Sequence, residues 1–208
     1  MRIQPAFGDT PPQDAIDQAV KALEGGFIVG VPTDTVYGLA ADVSYTGAAD
    51  RLFALKKRSR TFELPVLVAD IEQAMSISVG VPEVAEKLMA KYWPGALTIV
   101  VPRHPDFVAD LGSDEETVGI RCPGHIVPRT LCEVVGPLAT TSANLHKQPP
   151  LTTAQEVSAT FADGVDVILD AGPCNGRSST VIDVTGSEPK LLREGDISWT
   201  DILATIAN

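Results

Sequence analysis

Several short clusters of hydroxyl, amide and basic side chains sit where apolar runs break off. Thr33, Asp34 and Thr35 with Tyr37 follow Phe27-Ile28-Val29-Gly30-Val31. Lys56, Lys57, Arg58 and Arg60 end an amphipathic stretch. Thr117 and Arg121 bracket Val118-Gly119-Ile120, and Thr140, Thr141, Ser142 and Asn144 follow Leu138-Ala139. Ser178-Ser179-Thr180 and Arg193 come late in the chain. Together they offer fixed positive charge and many hydrogen-bonding groups, which suits the positioning and neutralising of anions. Phosphoryl or nucleotidyl transfer is chemistry of that kind, because alignment and charge neutralisation carry most of its acceleration.

Other routes find little support. There is no Gly-x-Ser-x-Gly elbow, no P-loop pattern and no dinucleotide fingerprint. His104, His125 and His146 are scattered, and no Asp or Glu couple sits in a motif. Cys122, Cys132 and Cys174 are odd in number and widely spaced, so they form neither a zinc pattern nor a disulfide framework. Each cluster also has an ordinary structural reading. Lys and Arg complement the dipole at a helix end. Ser142 and Asn144 suit a cap, Arg121 and Ser179 suit a surface, and Tyr37 suits core packing with its hydroxyl tied down.

The elements that must position these residues follow from periodicity. Asp14–Leu23 has apolar residues at helical spacing and Gly25 ends it. Phe27–Val31 reads as a buried strand, stopped at Pro32 because proline has no N–H for a ladder. Thr46 is expected to cap a helix over 48–57, and 58–63 to form a charged loop. Strands are expected over 65–69, 97–101, 117–121, 138–141, 166–169, 180–184 and 190–192. Helices are expected over 71–77, 82–92, 128–135, 153–161 and 199–206, with a helix or turn over 106–112. Strands and helices alternate with Pro and Gly at the joints. One α/β domain with a mixed sheet over 1–208 fits best, its core spanning about 14–198.

Composition sets the outer bounds. The chain has 208 residues, 44% of them hydrophobic and only 5% aromatic, so its core is built from Val, Ile, Leu and Ala. No apolar run approaches the roughly 20 residues that span a bilayer, no signal pattern opens the chain, and a reducing cytoplasm is the expected setting. Formal net charge is −11. That disfavours a broad nucleic-acid surface, which is normally basic.

Taken together, these segments resemble the YrdC-type domain of threonylcarbamoyl-AMP synthases. The matching stretches are Pro32–Leu39, Lys56-Lys57-Arg58, Trp93–Thr98, Val118–Pro123, Thr141-Ser142-Ala143-Asn144, Ser179–Asp183 and Leu192–Gly195, in the family's order. The resemblance implies a twisted mixed sheet flanked by helices around a concave, positively charged site. It implies an enzyme that makes L-threonylcarbamoyladenylate from L-threonine, bicarbonate or CO2, and ATP, releasing pyrophosphate. It assigns Thr35, Arg121 and Ser179 to L-threonine, and Lys56, Arg58, Thr117, Thr140, Ser142, Asn144 and Arg193 to ATP. Lys56, Arg58, Ser142 and Asn144 are its expected catalytic residues, and Mg2+ would accompany the phosphates. The product would pass to a threonylcarbamoyl transferase complex for the t6A modification of tRNA, with at most weak tRNA contact and no membrane.

Departures from the pattern cluster in one region. Ser59 stands where proline is usual, the loop to Pro65 is longer, Ala69 replaces a frequent histidine, and no glycine follows Asn144. Two further readings stay open on the sequence. A non-catalytic paralogue would bind RNA or nucleotide, although such paralogues tend to lack the Ser142-Ala143-Asn144 stretch. A carbamoyltransferase of hydrogenase maturation would carry zinc-binding cysteines.

Overall fold

A computed structural model describes residues 1–57, 59–61, 63–112, 116–145, 148–174 and 176–207. Ten strands form one mixed sheet in the order β1-β8-β2-β3-β7-β4-β6-β5-β9-β10. The strands are β1 (Arg2–Pro5), β2 (Val29–Val31), β3 (Gly38–Asp42), β4 (Val66–Leu67), β5 (Leu97–Pro102), β6 (Thr117–Arg121), β7 (Leu138–Ser142), β8 (Val167–Asp170), β9 (Thr180–Asp183) and β10 (Lys190–Arg193). The helices are α1 (Gln13–Glu24), α2 (Ala48–Lys56), α3 (Ile71–Ser76), α4 (Glu83–Tyr92), α5 (Ile126–Val135), α6 (Ala154–Thr160) and α7 (Trp199–Ile206). None of them is long and apolar enough to cross a membrane.

Two apolar cores form on the two faces of this sheet. Strand residues alternate between faces, and the cores divide them accordingly. Leu39, Ala41, Leu97, Ile99, Val118, Ile120 and Ile182 join residues of α2, α4 and α6 in one cluster. Val29, Val31, Ala40, Leu67, Val167 and Leu169 join Ile16, Leu23, Val127 and Leu131 of α1 and α5 in the other. α1 and α5 pack on each other and contact β8, β2, β3 and β4.

Two strands were not expected. β1 pairs in parallel with β8, with Arg2 opposite Val167, so the sheet starts ahead of the 14–198 core. β3 is built from Gly38-Leu39-Ala40-Ala41-Asp42, residues mostly depleted in strands. It forms because every one of them is buried between β2 and β7.

Two helix starts also differ. Thr46 does not cap α2: the N-cap is Gly47 at φ 83, with no side-chain hydrogen bond. That left-handed conformation suits glycine and disfavours threonine. α5 begins two residues before Pro128, capped by His125, whose Nδ1 accepts from the Val127 N–H at 3.2 Å. Residues 106–112 form no helix.

Candidate active site

The pleat decides which residues face the site. On β5, Leu97, Ile99 and Val101 enter the first core, so Thr98 and Val100 point to the other face. On β6, Val118 and Ile120 enter it, so Gly119 and Arg121 point away. Over this half of the sheet lies a cavity of about 500 Å3. Thr33, Thr35 and Tyr37 bound one side, and Ser178, Ser179, Val181, Leu192 and Arg193 the other. Pro65, Leu67, Thr98, Val100 and Gly119 lie between, with Glu63, Arg121, Thr140, Thr141 and Ser142 completing the wall. A Cβ on Gly119 would already touch Thr98, Pro65 and Val100 at 3.7–3.8 Å, so a larger side chain there would occupy the hollow.

Arg121 is held from behind. Its Nε donates to the Gly95 carbonyl at 3.0 Å, Nη1 to Thr35 Oγ1 at 3.0 Å, and Nη2 to Asp34 Oδ1 at 2.6 Å. Burial lowers the guanidinium from its ordinary value, and the Asp34 carboxylate works against that shift. Thr33 organises the turn: its Oγ1 accepts the N–H groups of Thr35 and Val36 and donates to the Val36 carbonyl. Thr35 Oγ1 lies 2.8 Å from Thr33 Oγ1, so the two hydroxyls share a hydrogen bond. Thr35 Oγ1 also accepts from Arg121.

The opposite wall is tied together in the same way. Arg193 donates through Nε to the Ser179 carbonyl and through Nη2 to Ser179 Oγ, both at 3.0 Å. Ser179 Oγ lies 2.9 Å from Thr98 Oγ1. The register of β10 explains why Arg193 is there. Leu191 pairs with Ile182 and Arg193 with Val181, so Leu192 is an extra residue in a bulge. Neighbours in a regular strand face opposite ways, whereas this bulge sets both Leu192 and Arg193 in the wall.

Lys56 reaches the same region from the other face. It is buried at the end of α2, and its Nζ donates to Thr141 Oγ1 at 2.9 Å, the Ser142 carbonyl at 2.6 Å and Asn144 Oδ1 at 2.9 Å. Ser142 Oγ also donates to Asn144 Oδ1 at 2.6 Å. Lys56 therefore braces the end of β7 and the turn after it.

The expected site residues divide accordingly. Thr35, Arg121, Ser179, Thr140, Ser142 and Arg193 share the cavity wall. Lys56 and Asn144 stand behind Ser142, outside the wall. Thr117, at the start of β6 on the same face as Gly119 and Arg121, is not among the residues of the wall. Arg58 lies outside the described residues. Arg60, from the same basic cluster, faces solvent and pairs with Asp50 and Asp110. Thr98, Glu63 and Gly119 were not singled out by sequence, and Asp34 stood in the first polar cluster without a role of its own. Asp34 and Thr98 fell inside quoted motifs, and only their hydrogen bonds reveal their place.

The charged groups of the described wall are Arg121, Arg193 and Glu63. No group of three or more His, Cys, Asp and Glu side chains that could hold a metal occurs among the described residues. With one carboxylate in the wall, the donor set does not fit a resident metal centre. The cysteines are not poised for reaction either, since burial pushes the Cys122 thiol up to about 11 and raises Cys174 as well.

Comparison with known proteins identifies the family. The family model Sua5_yciO_yrdC, described as telomere recombination, matches residues 21–195. A protein of Mycobacterium tuberculosis (strain ATCC 25618 / H37Rv) is 39% identical over 88% of this chain and 85% of its own length. The threonylcarbamoyl-AMP synthase of Bacillus subtilis (strain 168) is 38% identical over 92% of this chain and 56% of its own length. The structure of Pyrococcus abyssi Sua5 complexed with L-threonine superposes with a TM-score of 0.91 at 33% identity, covering 99% of this chain and 61% of that one. The chain thus spans little more than half of these last two relatives.

Proposed function

The chain belongs to the Sua5/YciO/YrdC family, and on that footing we propose that it is a threonylcarbamoyl-AMP synthase. It makes threonylcarbamoyl-AMP and pyrophosphate from L-threonine, bicarbonate or CO2, and ATP. The observation that carries the reading is the Arg121 corner: a buried, immobilised guanidinium at a cavity wall beside Thr35, facing Ser179 and Arg193. The B. subtilis relative bears this enzyme name and the P. abyssi relative binds L-threonine, which supports carrying the activity over.

The substrates distribute by charge. Of the five N–H groups of a guanidinium, Arg121 commits one each to Gly95, Asp34 and Thr35. The two left over suit the threonine carboxylate. Thr35 Oγ1 suits the amine, and Ser179 Oγ suits the hydroxyl. Selecting threonine over serine rests on one methyl, worth roughly 1–3 kcal/mol. ATP lies toward Thr140, Ser142 and Arg193, with Lys56 and Asn144 supporting that end. The family pattern adds Arg58 and Thr117. Mg2+ enters as a counter-ion of the ATP phosphates.

The amine attacks the carbon of CO2 and loses a proton, giving an N-carboxylate. A carboxylate oxygen then attacks the α-phosphorus, and the bond to pyrophosphate breaks. The cavity contributes alignment, worth more here than acid–base catalysis. The product passes to a transferase that modifies tRNA in the cytoplasm, with at most weak tRNA contact by this chain. The test is pyrophosphate release by the purified chain with L-threonine, bicarbonate, ATP and Mg2+. Release that needs threonine and yields threonylcarbamoyl-AMP by mass is expected. Equal release without threonine overturns the reading.

A further inference from the structure

Asp34 is absent from the cavity wall, yet it touches the residue most suited to recognising a carboxylate. Its Oδ1 accepts from Arg121 Nη2 at 2.6 Å and from the Gly124 N–H at 2.9 Å. From this geometry we infer that Asp34 is a positioning residue. It turns the Arg121 guanidinium so that its uncommitted N–H groups face the substrate carboxylate. The inference rests on the function proposed above.

An arginine side chain is long and rotatable, so burial alone does not fix its plane. Thr35 Oγ1 and the Gly95 carbonyl are neutral acceptors, whereas Asp34 adds a charge-assisted bond, about twice as strong. Asp34 itself has little room to move. A Cβ on Gly124 would lie 3.1 Å from Asp34 Cγ, so the 122–125 loop presses directly on the carboxylate. On the far side, Gly176 donates its N–H to the Thr35 carbonyl at 3.0 Å, and a Cβ there would fall 2.7 Å from Thr35 Cα. The turn is gripped between two loops, and at Gly176 the backbone approach leaves no room for a side chain.

The arrangement also resolves an electrostatic difficulty. A buried guanidinium without a counter-charge is costly. A carboxylate on the cavity side of Arg121 would compete with the substrate's own for the guanidinium. Placing Asp34 behind the guanidinium supplies the counter-charge while the cavity side keeps its donors. Asparagine at this position would keep an acceptor for Arg121 and Gly124 but lose the charge. Alanine would lose both.

The test is calorimetric titration of L-threonine, L-threoninamide and ATP into the wild-type chain, Asp34→Asn and Asp34→Ala. Asp34→Ala is expected to weaken L-threonine by at least about tenfold, the scale of a lost bond to a charged group. ATP affinity should hold. The preference for L-threonine over its amide should shrink, because that preference reads the alignment of Arg121. Asp34→Asn should recover part of the lost affinity, since it restores the acceptor but not the charge. The inference is overturned if Asp34→Ala binds L-threonine like the wild type, if ATP affinity falls as far as threonine affinity, or if Asp34→Asn is no better than Asp34→Ala. A wild-type chain that takes up no L-threonine overturns the functional reading and this inference with it.

Discussion

Arg121 and Lys56 are both buried cations that donate hydrogen bonds around the same cavity, and they use their charge in opposite directions. Arg121 spends its bonds backwards, on Gly95, Asp34 and Thr35, and keeps donors for the hollow. Lys56 comes from the helix-covered face and donates to Thr141 Oγ1, the Ser142 carbonyl and Asn144 Oδ1. One cation keeps donors toward the hollow. The other braces the hollow's wall. Basic residues in a motif therefore divide by the face of the sheet they approach from, which their spacing alone does not state.

The comparison can be broken most sharply at Arg121. Arg121→Lys keeps the charge but cannot serve Gly95, Thr35 and Asp34 together, since an ammonium lacks the planar fork. The expected loss in kcat/KM for L-threonine is about a hundredfold, with lost hydrogen bonds to charged groups worth about 1.5–3 kcal/mol each. An unchanged value, measured by pyrophosphate release at varied threonine, would remove the asymmetry.

Lys56→Ala is next. It removes three hydrogen bonds at the end of β7, so the chain should lose about 2 kcal/mol of stability in urea unfolding, along with activity. Lost activity at full stability would mean that Lys56 touches the ligand instead of bracing the wall.

A subtler difference lies in pH. His125, at the head of α5 behind the Arg121 corner, has its pKa lowered from 6.5 by burial, with Arg129 also lowering it and Asp34 opposing. Its Nδ1 must be unprotonated to accept the Val127 N–H. The folded chain therefore binds fewer protons here than the unfolded chain. This contribution is fully present above about pH 6.5 and is lost as pH falls through the lower folded value. His125→Asn keeps a capping oxygen without titrating in that range. Its stability should fall less steeply between pH 7 and 5, as followed by urea midpoints. Parallel curves would deny His125 this part.

The smallest effect belongs to Arg60. Its pairs with Asp50 and Asp110 are exposed, so Arg60→Ala should change stability by less than about 1 kcal/mol. It should leave turnover alone, and a marked loss of turnover would return the surface cluster to the site.

Much of this was legible in the sequence, for a physical reason. Apolar runs that end abruptly in polar residues mark strand ends, and strand ends of one sheet converge, so Thr35, Arg121, Ser142 and Ser179 share a hollow. What stayed hidden depends on the pleat and on partners distant in sequence. Thr98 faces the cavity only because Leu97 and Ile99 face the core. Asp34 gains its role from a guanidinium 87 positions away. Arg193 enters the wall through a bulge at Leu192 that no local pattern announces. β3 was missed because glycine and alanine make poor strands unless buried on both sides, and Gly47 replaced Thr46 as a cap because the turn there is left-handed.

The most direct test of the central claim is a structure of the chain crystallised with L-threonine. The account predicts the carboxylate within about 3 Å of Arg121 nitrogens, the amine near Thr35 Oγ1, and the bond between Arg121 and Asp34 intact. An amino acid seated elsewhere, or a guanidinium that has released Asp34 to reach it, would contradict the account.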